Sequence, residues 1–103
     1  MIEKKISTSF FIADFSELNP IEQDLINKAK EILKTSYSSY SGFSVGASVM
    51  FEDQTSIEGS NQENVAFPSG LCAERVALFY ARSKFPDKRI DTIAISAQSK
   101  DFE

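Results

Sequence analysis

Residues 59–82, GSNQENVAFPSGLCAERVALFYAR, contain a change from a polar loop to an apolar helix that decides how the rest of the chain is arranged. The loop holds Asn61 and Glu63. The helix is predicted from Leu71 to about Phe85, and it should be buried on most sides because apolar residues lie around much of its circumference. Unpaired backbone N–H groups and the positive end of the helix dipole meet at its first turn. The side chains placed there are therefore the most informative in the sequence.

Two reactive side chains, Cys72 and Glu74, stand at this helix start. The dipole biases a thiol toward the thiolate, which is the form that binds metal or attacks a substrate. Residues two positions apart diverge around the helix tip, so a water on a metal held by Cys72 could lie within reach of the Glu74 carboxylate. This layout suits a hydrolytic zinc site. The other interpretation makes Cys72 a small buried apolar residue, and spacing alone does not decide between the two.

An earlier helix is predicted to begin at Pro20. Asn19 is suited to the N-cap position, Pro20 to the first helical position, and Glu22 to the third position, where it closes a capping box. Apolar residues then recur at helical spacing to about Tyr37. This amphipathic helix is expected to place its apolar stripe in the core.

Three strands are predicted. Alternating apolar residues from Val45 to Phe51 indicate a half-buried strand, and residues 56–60 return as the second strand of an antiparallel hairpin. The β-branched run from Ile90 to Ala97 forms the third strand, which a preceding crossover helix would place parallel to its neighbour. The predicted fold class is therefore α/β, with helices packed on a mixed sheet.

The first 18 residues differ from the rest of the chain. Their apolar side chains stand among Ser and Thr, which favours an extended arm or an edge strand. Such an arm could lie on a neighbouring subunit or on its own core. The 103 residues as a whole are expected to form one domain.

Composition narrows the class of function. The net charge is −4 and the sequence pI is about 4.8, which argues against binding along a phosphate backbone. One cysteine excludes an intrachain disulfide and fits a reducing compartment, and the absence of histidine removes the usual base of a Ser-His-Asp triad. No apolar run approaches a membrane span and the N-terminus lacks a signal-peptide pattern, so the cytoplasm is the expected location.

Three motifs in order carry a family resemblance: YSSYSGFSVGA at residues 37–47, NQEN at 61–64 and CAER at 72–75. Together they resemble cytidine deaminase, a zinc-dependent nucleoside enzyme, over the region from Pro20 to Ala97. The resemblance implies a layered deaminase fold and hydrolytic deamination of cytidine and deoxycytidine in pyrimidine salvage. It also implies a homo-oligomer, a dimer or tetramer, that acts on a small nucleoside rather than on nucleic acid or membrane.

The resemblance also implies a role for each site residue. Cys72 would bind zinc through its thiolate, and Glu74 would carry protons. The Phe43 ring would pack on the pyrimidine, which the Ala73 backbone would position. Asn61 and Glu63 would bind the ribose hydroxyls, and Arg75 would donate to the zinc thiolates. From the residues alone, simpler readings stay open: Phe43 as a core residue, Asn61 and Glu63 as solvated loop side chains, and Arg75 as a surface cation.

The sequence departs from the family at its end. Family members complete the zinc site with a Pro-Cys-x-x-Cys motif, whereas this chain has a single cysteine and ends at Glu103. One thiolate cannot close a tetrahedral zinc site. The chain is therefore interpreted as a partial deaminase domain that lacks the C-terminal part of the fold. The alternatives are a non-catalytic fragment that binds nucleoside or partner subunits, a thiol enzyme with Cys72 as nucleophile, and a polynucleotide deaminase.

Overall fold

The computed structural model describes residues 1–38, 41–63 and 72–99. Two helices and three strands form the body of the fold, with a short 3-10 turn before and after the first helix. In chain order they are a 3-10 turn (Phe15–Glu17), α1 (Pro20–Ile32), a 3-10 turn (Leu33–Thr35), β1 (Phe43–Phe51), β2 (Ser56–Ser60), α2 (Ala73–Lys84) and β3 (Ile90–Ser99).

Helix α1 begins where the sequence predicts. The Asn19 side chain accepts from the Glu22 backbone N–H at 2.8 Å, and the Glu22 carboxylate accepts from the Asn19 backbone N–H at 3.2 Å. The capping box is therefore confirmed. The helix is shorter than predicted, because the Thr35 hydroxyl donates to the Ile32 carbonyl at 2.7 Å and Ser36 is already extended. Hydroxyl side chains compete in this way for the backbone bonds that would continue a helix.

The strand order is β2-β1-β3, with β1 in the centre. The predicted hairpin is confirmed, since β1 and β2 pair antiparallel with Ala47 opposite Gly59. The prediction that the third strand lies parallel to its neighbour was wrong, because β3 pairs antiparallel with β1. Helix α2 does return the chain in the direction of β2, but β1 lies between β2 and β3. Over the described residues the strand pairings are therefore antiparallel rather than mixed, within the predicted α/β class.

The two helices cover opposite faces of the sheet. On one side Ala47, Val49 and Phe51 form a buried cluster with alanines of α2, and on the other side α1 packs against Met50 and β3. The middle of β1 is therefore buried on both faces, whereas the alternation had predicted burial on one. A side chain on a strand is buried only when something lies over it, and local sequence does not report a helix on the second face.

Helix α2 is less buried than predicted. Its sheet-facing residues are the alanines Ala73, Ala77 and Ala81, which let the helix approach closely. Phe79 and Tyr80 are 62% and 52% exposed, because no described element covers the outer side of the helix. The prediction of burial on most sides was therefore wrong.

Residues 1–14 form neither helix nor strand, and their isoleucine and phenylalanine side chains are exposed. The interaction role of this arm stays a prediction. Neither helix of the described chain has the length and apolarity needed to cross a bilayer.

Candidate functional site

The N-terminus of α2 lies at the end of the sheet where β1 begins and β2 finishes. At the opposite end, the ring of Phe85, just after α2, meets the ring of Phe51 at the end of β1, with 5.6 Å between centroids. Midway, α2 crosses β2 at Gly59. Since Ala73 starts the same buried face and belongs to the same cluster as Val45, the first turn of α2 is directed to the start of β1.

Asn61 ties this end of the sheet together. Its side-chain oxygen accepts from the Val45 backbone N–H at 2.9 Å and from the Ser36 hydroxyl, and its amide nitrogen donates to the Phe43 carbonyl at 2.9 Å. Its backbone N–H also donates to the Val45 carbonyl at 3.1 Å. The side chain thus continues the hydrogen bonding of β2 to β1 beyond the last residue of β2.

Glu63 lies at the same end of the sheet. Its backbone N–H donates to the Tyr37 carbonyl at 2.8 Å, and its carboxylate accepts from the Ser41 backbone N–H at 3.1 Å. Phe43, the first residue of β1, is 45% exposed. The structure therefore brings together three of the four residues predicted to contact a nucleoside, with an aromatic ring, an amide and a carboxylate at one end of the sheet.

The remaining predicted residues occupy the start of α2. Cys72 is the N-cap residue, its side chain makes no capping bond, and it is exposed, so the interpretation of Cys72 as a buried apolar residue was wrong. Ala73 is buried, Glu74 in the first turn is half-buried, and Arg75 is exposed. Among the described residues no carboxylate forms an ion pair with Arg75, which leaves its predicted role toward thiolates a prediction.

The described residues supply only part of what a zinc ion needs. An exposed thiol at a helix N-terminus is a suitable single ligand. Within residues 1–38, 41–63 and 72–99, however, no group of three or more His, Cys, Asp or Glu side chains could hold a metal. Cys72 and its described surroundings therefore do not form a complete zinc site.

Sequence reasoning missed the residues that hold the nucleoside-facing groups in place. The Ser36 hydroxyl and the backbones of Tyr37 and Ser41 position Asn61 and Glu63. The signal that could have found them is the run of serines that follows α1 in the sequence, at positions 36, 38, 39 and 41, because serine hydroxyls bind nearby backbone and polar groups. Asn64 and the rest of the loop 64–71, with the predicted helix start at residue 71, lie outside the described residues, as do residues 39 and 40.

The chain is similar in sequence to cytidine deaminases. The family model described as the cytidine and deoxycytidylate deaminase zinc-binding region matches residues 20–98. The chain is 40% identical over 74 residues to a cytidine deaminase of Halalkalibacterium halodurans, covering 72% of this chain and 54% of the relative. It is 43% identical over 61 residues to a cytidine deaminase of Sporosarcina psychrophila, covering 59% and 45%. The chain thus spans about half the length of these curated relatives.

Solved structures give the same result. A cytidine deaminase from Burkholderia pseudomallei superposes with a TM-score of 0.69 at 35% identity, covering 74% of this chain and 61% of that one. The cytidine deaminase of Mycobacterium tuberculosis does so with a TM-score of 0.69 at 29% identity, with the same coverage of 74% and 61%. The predicted deaminase fold is confirmed by these neighbours, and the chain belongs to the cytidine and deoxycytidylate deaminase family.

Proposed function

We propose that this chain forms the nucleoside-binding part of a zinc-dependent enzyme that hydrolyses cytidine and deoxycytidine to the corresponding uridine and ammonia. The observation that carries the proposal is the meeting of Phe43, Asn61 and Glu63 at the sheet end toward which α2 directs Cys72 and Glu74. Family membership supports the same chemistry. The proposed setting is pyrimidine salvage in the cytoplasm, with the enzyme as a homo-oligomer.

Recognition is assigned to the sheet end. The exposed Phe43 ring packs on the pyrimidine, and the Ala73 backbone, at the N-terminus of α2, positions that ring. Glu63 accepts from a ribose hydroxyl, since a carboxylate has more acceptor positions than the one occupied by Ser41 N–H. Asn61 gives one amide N–H to Phe43, and the second N–H is the donor proposed for the ribose. A free base without ribose would lose both polar contacts and bind more weakly.

Proton transfer is assigned to Glu74. Its carboxylate takes a proton from the attacking water and passes it to the ring N3. It then takes the proton of the new C4 hydroxyl and delivers it to the amino group, so that the C4–N4 bond breaks, the C4 carbonyl forms, and cytidine and water become uridine and ammonia. Zinc would take Cys72 as one ligand and needs further ligands that the described residues do not supply. Arg75 would donate to the thiolates and offset their charge.

The decisive experiment measures zinc per chain and cytidine conversion on the same freshly purified sample. Catalysis predicts about one zinc per chain and production of uridine. Replacement of Glu74 by Gln should then lower kcat by at least about 10²-fold with cytidine affinity retained, because only proton transfer is removed. Replacement of Glu52 by Gln, at the opposite end of the sheet, is the control and should leave kcat unchanged. A Glu74→Gln variant with full activity would refute the assignment of the proton carrier.

A second function is favoured by one observation: no three or more His, Cys, Asp or Glu side chains among the described residues form a group that could hold a metal. In this case the chain is a non-catalytic deaminase-fold module that binds nucleoside or partner subunits. It predicts no zinc and no turnover, but chemical-shift changes at Phe43 and Glu63 when cytidine is added, and weaker ones with cytosine. Replacement of Glu63 by Gln should reduce the affinity for cytidine and leave that for cytosine unchanged. No binding of either ligand to the folded chain would exclude this function.

A further inference from the structure

A cavity of about 210 Å³ lies between α1 and the turn that joins β1 to β2, at the opposite end of the sheet from Phe43. Its apolar wall includes Leu25 of α1, which is buried, and Met50 near the end of β1, which is half-buried. Four polar side chains from three elements also line this hairpin cavity: Asp24 and Lys28 of α1, Gln54 of the turn and Ser56 of β2. Convergent polar groups beside an apolar wall are typical of a small-molecule site. The cavity is smaller than those that hold drug-sized molecules, so its ligand should be compact.

Two opposite charges lie beside each other at the hairpin cavity. The Lys28 ammonium is 3.3 Å from the Asp24 carboxylate, and it donates to the Ser56 hydroxyl at 3.0 Å. The bond to Ser56 joins the helix to the sheet and keeps the ammonium at the cavity wall. A ligand with a single charge would be attracted by one of the two charged groups and repelled by the other. A ligand that carries a positive and a negative group close together can satisfy both.

The backbone of Gln54 gives independent support. Its φ of 69° lies in the left-handed region, which is unfavourable for a residue with a side chain and easily adopted by glycine. The turn is closed by backbone hydrogen bonds, from Gln54 to the Phe51 carbonyl and from Phe51 to the Thr55 carbonyl, both at 2.9 Å. Glycine would serve these bonds with less strain. What Gln54 adds is an amide at the cavity wall, which can donate to a carboxylate.

We propose that the hairpin cavity binds an apolar α-amino acid in its zwitterionic form. The Lys28 ammonium and the Gln54 amide would donate to the ligand carboxylate, and the Asp24 carboxylate would accept from the ligand ammonium. The ligand side chain would pack on Leu25 and Met50. Because the side chains of Lys28 and Asp24 are 40% and 66% exposed, water weakens these contacts and the Kd should be about 1 mM. The cavity shares no residue with the nucleoside-facing end, so this site stands or falls independently of the proposed deaminase activity.

The test is titration of the 103-residue protein with L-leucine, followed by the chemical shifts of the backbone amides in two-dimensional NMR spectra. The proposal predicts saturable shifts around the cavity, at residues 20–28 and 50–56, with a Kd of about 1 mM. Isocaproate has the same apolar group but lacks the ammonium, and isoamylamine lacks the carboxylate. Each should bind about tenfold or more weakly than L-leucine, because one charge-assisted contact is lost.

Two variants separate ligand binding from folding. Gln54→Gly relieves the left-handed strain but removes the amide, so the urea midpoint should rise while the affinity for L-leucine falls by about threefold or more. Lys28→Met keeps an unbranched side chain but removes the charge, and it should weaken binding by about tenfold or more. Lys34→Met is the matched control and should bind like the parent. Lys34 makes a comparable ion pair with Glu31 at 3.0 Å but does not line the cavity.

The absence of shifts around the cavity up to about 20 mM L-leucine, well above the expected Kd, would overturn the proposal. Equal affinity for isocaproate or isoamylamine would overturn it too, because the cavity would then bind apolar groups without recognising the two charges. Unchanged binding in folded Lys28→Met and Gln54→Gly, checked by circular dichroism, would refute the assigned contacts. Shifts confined to Phe43 and Glu63 would place the ligand at the other end of the sheet and would likewise refute the site.

Discussion

Replacing Asn61 by Ala should destabilise the fold, although the same residue is proposed to contact the ribose. The side chain accepts from the Val45 backbone N–H and from the Ser36 hydroxyl, and it donates to the Phe43 carbonyl. Truncation removes all three hydrogen bonds and leaves two backbone groups of β1 without these partners. The start of β1 would then be held to the end of β2 mainly by the backbone hydrogen bond from residue 61 to the Val45 carbonyl, and the exposed Phe43 ring would be positioned less firmly.

The expected magnitude follows from the number of bonds and their exposure. A typical intramolecular hydrogen bond contributes about 0.5–1.5 kcal/mol net. The bonds to Val45 and Ser36 are part-buried and the one to Phe43 is exposed, so water can replace some of the lost contacts and the lower part of the range applies. We expect a loss of about 1.5–2.5 kcal/mol in the free energy of unfolding. With an m value of about 1.3 kcal/mol/M, the urea midpoint falls by about 1–2 M.

The assay is urea denaturation followed by circular dichroism, with cytidine titration on the same samples. Replacement of Gln62 by Ala is the control, because the hydrogen bonds of this neighbouring amide to Thr35 and Ser60, at 3.5 and 3.2 Å, are longer than those of the Asn61 side chain to β1. The urea midpoint of this variant should change by less. A free energy of unfolding of Asn61→Ala within about 0.5 kcal/mol of the parent value would refute the structural role assigned to Asn61, because a change of that size is typical of an ordinary surface substitution.

Two further predictions concern the packing of α2 and the opposite end of the sheet. Gly59→Ala should cost about 1–3 kcal/mol of stability, because the new Cβ would lie 2.6 Å from the Ala77 backbone nitrogen; an unchanged urea midpoint would contradict it. A hydrogen bond from Lys88 lowers the pKa of Asp53 to about 2, below its unfolded value of about 3.9, so this stabilisation is present above about pH 4 and is lost as the pH falls toward 2. In Asp53→Asn the urea midpoint should therefore decline less between pH 4 and 2 than in the parent. The control Asp91→Asn should decline as the parent does. If Asp53→Asn and the parent decline equally, the role of Asp53 is refuted.

The sequence predicts the elements of the fold better than their arrangement. The start of α1 was predictable because a capping box is a local pattern of Asn19, Pro20 and Glu22. The hairpin was predictable because its two strands are joined by a short turn. The neighbour of β3 was not predictable, because strand order depends on which strand the chain reaches after α2. Since β1 lies on one side of β2, β3 pairs with the other side of β1.

At the site, too, the residues could be predicted better than their contacts. The resemblance to cytidine deaminase singles out Phe43, Asn61 and Glu63, and the fold brings them together. The hydrogen bonds of Asn61 to β1 could not be predicted, because they depend on β2 finishing one residue earlier while β1 continues beside it. Exposure of Cys72 depends likewise on how the helix start meets the sheet, and the residue type alone favours burial.

Besides the buried Ala73, contacts in the middle and at the far end of α2 help to set the position of its first turn. Beyond its C-terminal end the Phe85 ring packs on Phe51, and the Lys88 ammonium lies 4.1 Å from the Phe85 ring centroid. In the middle the helix rests directly on the backbone of Gly59. A side chain added there while the far end stays fixed should tilt the helix, and the displacement is largest at the N-terminal end, which lies farthest from the contact of Phe85 with Phe51. Because that end carries Glu74, the residue proposed to carry protons, Gly59→Ala should lower kcat for cytidine in the proposed deaminase even where circular dichroism shows the variant to be fully folded, and an unchanged kcat would contradict this coupling.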